Sequence, residues 1–130
     1  MKLLLDTHIL IWAAMEPRRL STRVSRMLQR TSNELWLSPV STWEVVLLAE
    51  GGKFRTNVAI ETWLAAAMSG LGLYEAPLTH EVVLASREIT LPHRDPADHL
   101  IAATARHYEL RLVTTDARLL AGSGFSTIGG

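Results

Sequence analysis

Short, uninterrupted apolar runs recur along this chain, and segments with helix signals separate them. The runs at 3–5, 35–37 and 112–114 are too short for helices and lack the alternation of half-exposed strands. They therefore predict strands that are buried on both faces. Two further strands are predicted at 73–74 and 125–128, and helices are predicted at 9–15, from 21 onward, and at 41–50, 57–69, 79–87, 95–108 and 117–120.

Strands that alternate with helices need crossover connections, which are right-handed and place helices on both faces of a parallel sheet. The predicted fold class is therefore α/β. At 130 residues the chain is expected to form one domain over 1–130. Its 48% content of hydrophobic residues is sufficient for a substantial core.

Composition excludes several classes of protein. Thirteen basic side chains balance thirteen acidic ones, so there is no strongly basic coat for nucleic acid. The lack of cysteine excludes disulfides, thiolate metal sites and a cysteine nucleophile. The longest apolar runs, 9–15 and 63–68, fall short of the roughly 18 residues of a membrane span. No signal-peptide core develops at the start of the chain, and a cytoplasmic protein without a membrane partner is expected.

Four acidic residues are predicted to meet at one edge of the sheet. Ligands of parallel α/β sheets bind beyond the carboxyl ends of the strands. Asp6 directly follows the first strand, and Asp116 comes two residues after the fourth. Glu44 and Asp98 are expected in the first turns of helices that begin at the same edge.

Each acid also has a purely structural interpretation. The segment 41–44 matches a capping box, in which Glu44 satisfies a free backbone N–H. Asp98 gains about 0.3 to 1 kcal/mol from the dipole of its helix. Asp6 and Asp116 suit turns. For any one acid alone, this interpretation is at least as good as a functional one.

Convergence of the four acids favours a metal site instead. Two carboxylates about 5 Å apart repel by roughly 3 kcal/mol at an effective dielectric of roughly 20. Several such repulsions exceed what helix caps contribute, so the cluster either takes up protons or holds a cation. Oxygen ligands without cysteine select Mg²⁺ or Mn²⁺, which engage phosphates. The expected chemistry is attack on a phosphodiester by a metal-activated water.

Other chemistries have weaker support. The segment 93–99 contains four possible ligands, as the zinc loop of metallo-β-lactamase-like hydrolases does, but that loop needs a histidine where Asp95 stands. His8 lies close enough to Asp6 to touch the site, although a polar residue at a helix start explains it equally well. The sequence contains no glycine-rich phosphate loop, dinucleotide fingerprint or serine nucleophile elbow.

Four sequence blocks occur in the order and spacing of a known family. They are Leu3-Leu-Leu-Asp6-Thr-His-Ile-Leu, Ser41-Thr-Trp-Glu44, Asp95-Pro-Ala-Asp98-His-Leu-Ile-Ala-Ala-Thr-Ala105 and Leu112-Val-Thr-Thr-Asp116. Together they resemble the signature blocks of PIN domains, and especially the VapC toxins of bacterial type II toxin–antitoxin pairs. The blocks span nearly the whole chain, and the third is the most specific.

The resemblance implies a three-layer sandwich with a parallel five-stranded sheet, and an endoribonuclease that depends on Mg²⁺ or Mn²⁺. It also implies an RNA substrate, a cognate antitoxin and a homodimer. His8 stands where many members carry asparagine, and a subgroup resembling toxins carries histidine there. The catalytic, metal-binding acids implied are Asp6, Glu44, Asp98 and Asp116, with Asp95 as an auxiliary acid and helix cap and Thr114 as a hydrogen-bonding neighbour of Asp116.

Basic residues cluster between 18 and 30, where no acid intervenes. A solvated face explains them about as well as contact with RNA or an antitoxin, and the missing acids slightly favour a partner. The four tryptophans lie in apolar runs and are expected in the core or in a dimer contact. A non-catalytic PIN-like module that binds RNA or protein is the alternative function. The clustered residues are Arg18, Arg19, Arg23, Arg26 and Arg30.

Overall fold

A computed structural model describes residues 1–130. Its centre is a five-stranded sheet in the order β3-β2-β1-β4-β5, and every neighbouring pair is parallel. The predicted parallel five-stranded sheet is thereby confirmed. The strands are β1 (Lys2–Leu5), β2 (Glu34–Leu37), β3 (Leu73–Glu75), β4 (Arg111–Thr114) and β5 (Ser126–Gly129).

Helices cover both faces of the sheet and complete the predicted three-layer sandwich. Leu4 of the central strand packs on one side, in a cluster with Ile101 and Leu119. Leu3 and Leu5 pack on the other side. The helices are α1 (Thr7–Met15), α2 (Thr22–Gln29), α3 (Pro39–Glu50), α4 (Ile60–Leu71), α5 (His80–Ala85), α6 (Pro96–His107) and α7 (Ala117–Leu120), with 3₁₀ turns at Pro17–Arg19 and Ser86–Glu88.

The strand order creates a crevice between β1 and β4. The chain leaves β1 for α1, whose Ile9 packs on the face of Leu3 and Leu5. It leaves β4 for α7, whose Leu119 packs on the opposite face. Connections that depart to opposite faces open a gap beyond the carboxyl ends of the two strands, which is where open α/β sheets bind ligands.

The helix predicted to start at residue 41 begins earlier. Ser38 is the N-cap of α3, and its hydroxyl accepts a hydrogen bond from the Val40 N–H. Pro39 follows at the first helical position, which its fixed φ favours. The predicted capping box is therefore wrong: Ser41 is fully buried in the first turn and its hydroxyl has no partner. This register places Glu44 in the second turn, free for another contact.

The helix predicted at 57–69 is also shifted, and α4 occupies Ile60–Leu71. The Thr56 hydroxyl bonds both the N–H and the carbonyl of Val58, which fixes a turn ahead of the helix. Val58, which belongs to the predicted helix, lies outside α4 and is half exposed. No helix of the structure combines the length and the apolar character needed to cross a membrane.

Candidate active site

All four aspartates of the chain lie where strands end or helices begin at the carboxyl edge of the sheet. Asp6 follows β1 and caps α1, with its Oδ1 accepting from the Thr7 N–H at 2.8 Å. Asp116 follows β4 and caps α7. Asp95 caps α6 as expected, and Asp98 occupies the first turn of that helix.

A hydroxyl network links the ends of β1 and β4. Thr114 Oγ1 donates to Asp6 Oδ2 at 2.6 Å. Thr114 Oγ1 also accepts a hydrogen bond from the Asp116 N–H at 3.0 Å. The expected contact between Thr114 and Asp116 is therefore present. Thr114 additionally orients the carboxylate of Asp6, which the sequence alone does not indicate. Thr114 is fully buried, and Asp6 is only 8% exposed.

Glu44 reaches this edge from α3. Its Oε1 accepts a hydrogen bond from the Thr7 hydroxyl at 2.5 Å. Thr7 itself is buried at the start of α1, directly after Asp6. Sequence reasoning missed Thr7, because only the packing of α1 beside α3 reveals that its hydroxyl meets Glu44.

His93 is the second residue that sequence reasoning missed in this role. Its Nε2 lies 2.7 Å from Asp98 Oδ2, and its Nδ1 is buried without a partner. A carboxylate only accepts, so Nε2 carries the proton when Asp98 is ionised. The signal in the sequence is the spacing of His93 and Asp98, which also fits part of a zinc loop.

Burial raises the pKa of three of these carboxyls, those of Asp6, Glu44 and Asp98. It raises the pKa of Asp6 above the ordinary 3.8, and hydrogen bonds from Thr114 and Thr7 offset this only in part. It also raises the pKa of Glu44 above 4.5, and the nearby charges of Asp6 and Asp98 raise it further. Each group therefore lacks the solvent or positive charge that would balance its negative charge.

Asp98 and Asp116 differ in their surroundings. Burial raises the pKa of Asp98, and the carboxylates of Asp95 and Asp116 add to the effect, while His93 opposes it. Burial alone would also raise the pKa of Asp116, but hydrogen bonds and the charge of Arg118 lower it overall. Arg118 Nη2 lies 3.2 Å from Asp116 Oδ2. Asp116 is thus the one acid of the predicted quartet that forms an ion pair with an arginine.

The tightest group of possible ligand atoms is His93, Asp95 and Asp98, whose atoms all lie within 4.8 Å of one another. Of the predicted quartet, only Asp98 belongs to this group. The quartet is close enough for mutual repulsion to affect its pKa values. This oxygen-rich donor set, largely buried and without lysine or arginine on Asp6, Glu44 or Asp98, suits a hard divalent cation.

The clustered arginines are all exposed, but they do not share one location. Arg19 stacks over the Trp12 ring, 4.6 Å from its centroid, and lies 3.6 Å from Glu16. Arg30 follows α2 at the opposite, amino edge of the sheet, where its carbonyl accepts from the Asn33 N–H just ahead of β2. Contact of the five arginines with RNA or an antitoxin stays a prediction.

The tryptophans are less uniform than expected. Trp63 is buried in the core. Trp12 and Trp36 are partly buried and pack against other parts of the core. Trp43 is 53% exposed on α3, so it lies outside the core, and a dimer contact of this residue stays a prediction.

Comparison with known proteins identifies the family. Residues 3–122 match the family model of the PIN domain. The chain belongs to the PIN-domain family. This PIN domain is similar to Ribonuclease VapC22 of Mycobacterium tuberculosis, with 35% identity over 119 residues, which is 89% of this chain and 88% of that protein.

Solved structures confirm the fold. This PIN domain resembles VapBC2 of Rickettsia felis, crystallised with a promoter DNA fragment, with a TM-score of 0.73 and 17% identity over 99% of this chain and 98% of that one. It also resembles DNA-bound VapBC of Salmonella typhimurium, with a TM-score of 0.69 and 19% identity over the same shares. At these identities the likeness concerns the fold alone.

Proposed function

We propose that this chain is a ribonuclease, the toxin of a type II toxin–antitoxin pair, and that it cuts RNA phosphodiesters with Mg²⁺ or Mn²⁺. The observation that carries the proposal is that Asp6, Glu44 and Asp98 lie near enough to influence one another's pKa values and have no lysine or arginine ion-pair partner. The 35% identity to a ribonuclease supports RNA as the substrate.

A divalent ion bound there would activate water and stabilise the leaving oxygen. Asp6 and Asp98 are the proposed principal ligands, because both are almost completely buried and the charge of Asp98 raises the pKa of Asp6. Glu44 and Asp116 complete the proposed set, and Asp95 is auxiliary. Oxygen ligands of this kind leave room for the water and phosphate oxygens that Mg²⁺ retains.

Neighbouring side chains hold the proposed ligands in place. Thr114 donates to Asp6, Thr7 donates to Glu44, and His93 contacts Asp98. Each contact occupies one carboxylate oxygen, whose remaining lone pair stays available. Partners of this kind typically contribute about 10- to 100-fold to metal affinity or activity.

An antitoxin partner is part of the proposal, because the structural relatives include a toxin–antitoxin complex from Klebsiella pneumoniae. A homodimer is proposed on the same family ground. Apolar side chains around α5, namely Leu78, Val83 and Leu84, are substantially exposed and are candidates for such a contact.

The proposal is tested by incubating the protein with total RNA and Mg²⁺ and mapping the cut sites. Wild-type protein should cut, whereas wild type in EDTA and Asp98→Asn in Mg²⁺ should not. Asp98→Asn is nearly isosteric and removes one ligand charge. Full cleavage by that variant would refute the assignment.

A non-catalytic module that binds RNA or protein is the alternative. The ion pair of Asp116 with Arg118 favours it, because an acid already paired is a poorer cation ligand. The same experiment separates the two functions: RNA that is bound but never cut, with or without Mg²⁺, supports the module.

A further inference from the structure

A cleft lies along one side of α1, next to the proposed metal site. We name it the α1 cleft and define it by His8, Trp12, Arg19, Lys53, Phe54 and Arg55, which line it. Its volume is about 370 Å³. It begins at His8, two residues after Asp6, and extends past Trp12 to the turn that follows the helix. The seven helical rises from His8 to Met15 correspond to about 10 Å.

The far wall of the α1 cleft is built by the end of α3. Gly52 adopts φ +72°, and its N–H donates to the Ala49 carbonyl while the Lys53 N–H donates to the Leu48 carbonyl at 2.8 Å. This pair of bonds is a Schellman motif, which requires the left-handed conformation that glycine accepts. The motif fixes the backbone from which Lys53 emerges.

Exposed and buried side chains alternate over the next three residues, 53–55. Phe54 is buried against Trp63, with ring centroids 4.9 Å apart. Lys53 and Arg55, on either side of Phe54, are exposed at the α1 cleft. The anchored phenyl ring holds both cations at the wall without their needing a protein partner.

The charge of the α1 cleft is positive although the whole chain is neutral. Arg19, Lys53 and Arg55 line it, and Glu16 is its one acid. Glu16 lies 3.6 Å from Arg19, whereas Lys53 and Arg55 have no ion-pair partner. Two free cations beside a centre of buried acids have the arrangement expected for holding a phosphate backbone next to the reacting phosphodiester.

The α1 cleft also offers planar groups for bases. The Arg19 guanidinium stacks on Trp12, and the His8 ring lies 5.9 Å from the same indole. Proteins that bind single-stranded RNA combine a basic groove with aromatic and guanidinium planes on which bases stack.

We infer that the α1 cleft binds the single-stranded RNA immediately next to the cleaved bond, with Lys53 and Arg55 contacting phosphates and the Trp12–Arg19 stack contacting a base. This inference rests on the proposed ribonuclease function and names where its substrate lies. The clustered arginines then divide: Arg19 belongs to the RNA path, and Arg30, at the opposite edge, does not.

The test compares two double variants that each neutralise one lysine and one arginine. Lys53→Gln/Arg55→Gln alters the α1 cleft. Lys2→Gln/Arg111→Gln alters exposed residues at the amino edge of the sheet and is the matched control. The first measurement is binding of a fluorescent single-stranded RNA of random sequence, in EDTA, at several salt concentrations. The second is the steady-state kinetics of its cleavage in Mg²⁺.

The cleft variant should bind RNA roughly tenfold more weakly, with the slope of log affinity against log salt reduced by about 1.4 for two lost contacts to single-stranded phosphates. Its loss of cleavage should appear more in KM than in kcat. The control should match the wild type. Melting temperatures of both variants, measured in parallel, check that they are folded.

Equal RNA affinity of the two double variants would overturn the inference. So would unchanged RNA affinity together with weaker binding of a cognate antitoxin, since the α1 cleft would then be an antitoxin contact. Binding is measured in EDTA, where no divalent ion is available for cleavage. The RNA-binding cleft and the metal-dependent nuclease are therefore tested separately. RNA that binds through Lys53 and Arg55 but is not cut in Mg²⁺ would refute the nuclease and support the cleft.

Discussion

The Thr7 hydroxyl donates a 2.5 Å hydrogen bond to Glu44 Oε1. This contact joins the first residue of α1 to the second turn of α3, and it orients a carboxylate whose pKa burial raises. Thr7 directly follows Asp6, so one short segment both supplies an acid and positions another. The arrangement makes Glu44 a suitable place to separate the effect of charge from that of hydrogen bonding.

Glu44→Gln removes the charge and keeps an acceptor for Thr7. We expect RNA cleavage to fall roughly 10- to 100-fold. We also expect the metal-free protein to become more stable at neutral pH, because a carboxylate that is costly to ionise has been removed. Initial cleavage rates and thermal melts in EDTA measure the two effects. Glu50→Gln, at the exposed end of the same helix, is the control, and equal rates for the two variants would contradict the role given to Glu44.

The stability of the metal-free protein should fall as pH rises from about 4 toward neutrality. The folded-state pKa values of Asp6, Glu44 and Asp98 are raised above the ordinary 3.8, 4.5 and 3.8. Between each ordinary pKa and its raised folded value the folded state binds more protons than the unfolded state, so ionisation costs stability there. The pKa of Asp116 is lowered, so its contribution to the pH dependence of stability has the opposite sign. That contribution is small, because Asp116 is partly exposed and its charge is screened by solvent.

Urea unfolding in EDTA at several pH values, compared between wild type and Asp98→Asn, measures this dependence. The variant should be the more stable protein near pH 7, and its advantage should shrink as pH falls below the ordinary pKa of aspartate. Identical pH profiles for the two proteins would show that Asp98 is not destabilised by its surroundings.

His93 should position Asp98 for the ion. His93→Gln can still present an amide N–H to Asp98 Oδ2, whereas His93→Leu cannot. We expect Mn²⁺ affinity to fall roughly tenfold in the leucine variant and to be largely retained in the glutamine variant. Calorimetric titration with Mn²⁺ measures both. If His93→Leu bound Mn²⁺ with wild-type affinity, His93 would have no role in positioning Asp98.

The order of apolar runs was sufficient to predict the sheet and the edge at which the acids lie. Buried strands such as β1 tolerate almost only apolar side chains, so their limits are visible in the sequence, and Asp6 marks the end of β1. The convergence of residues far apart in the chain then follows from the rule that parallel strands end at one edge.

Contacts between side chains on different elements could not be predicted in the same way. Thr7 gains its role from the packing of α1 beside α3, which no local pattern encodes. The contact of His93 with Asp98 is local, five residues apart, and its spacing is visible in the sequence. The capping box at 41–44 was wrong because Ser38 and Pro39 offer an earlier and equally regular helix start. The pairing of Asp116 with Arg118 is local, two residues apart, and was within reach of the sequence.

Metal binding by the acids at the carboxyl edge is most directly tested by the melting temperature with and without millimolar Mn²⁺. An ion at about 100 times its Kd stabilises the folded state by about 2.7 kcal/mol, which shifts the melting temperature of a chain this size by several degrees. Wild type and the exposed-site control Glu61→Gln should show this rise, and Asp98→Asn should show a clearly smaller one. Equal shifts in all three proteins would contradict a divalent ion held by these carboxylates.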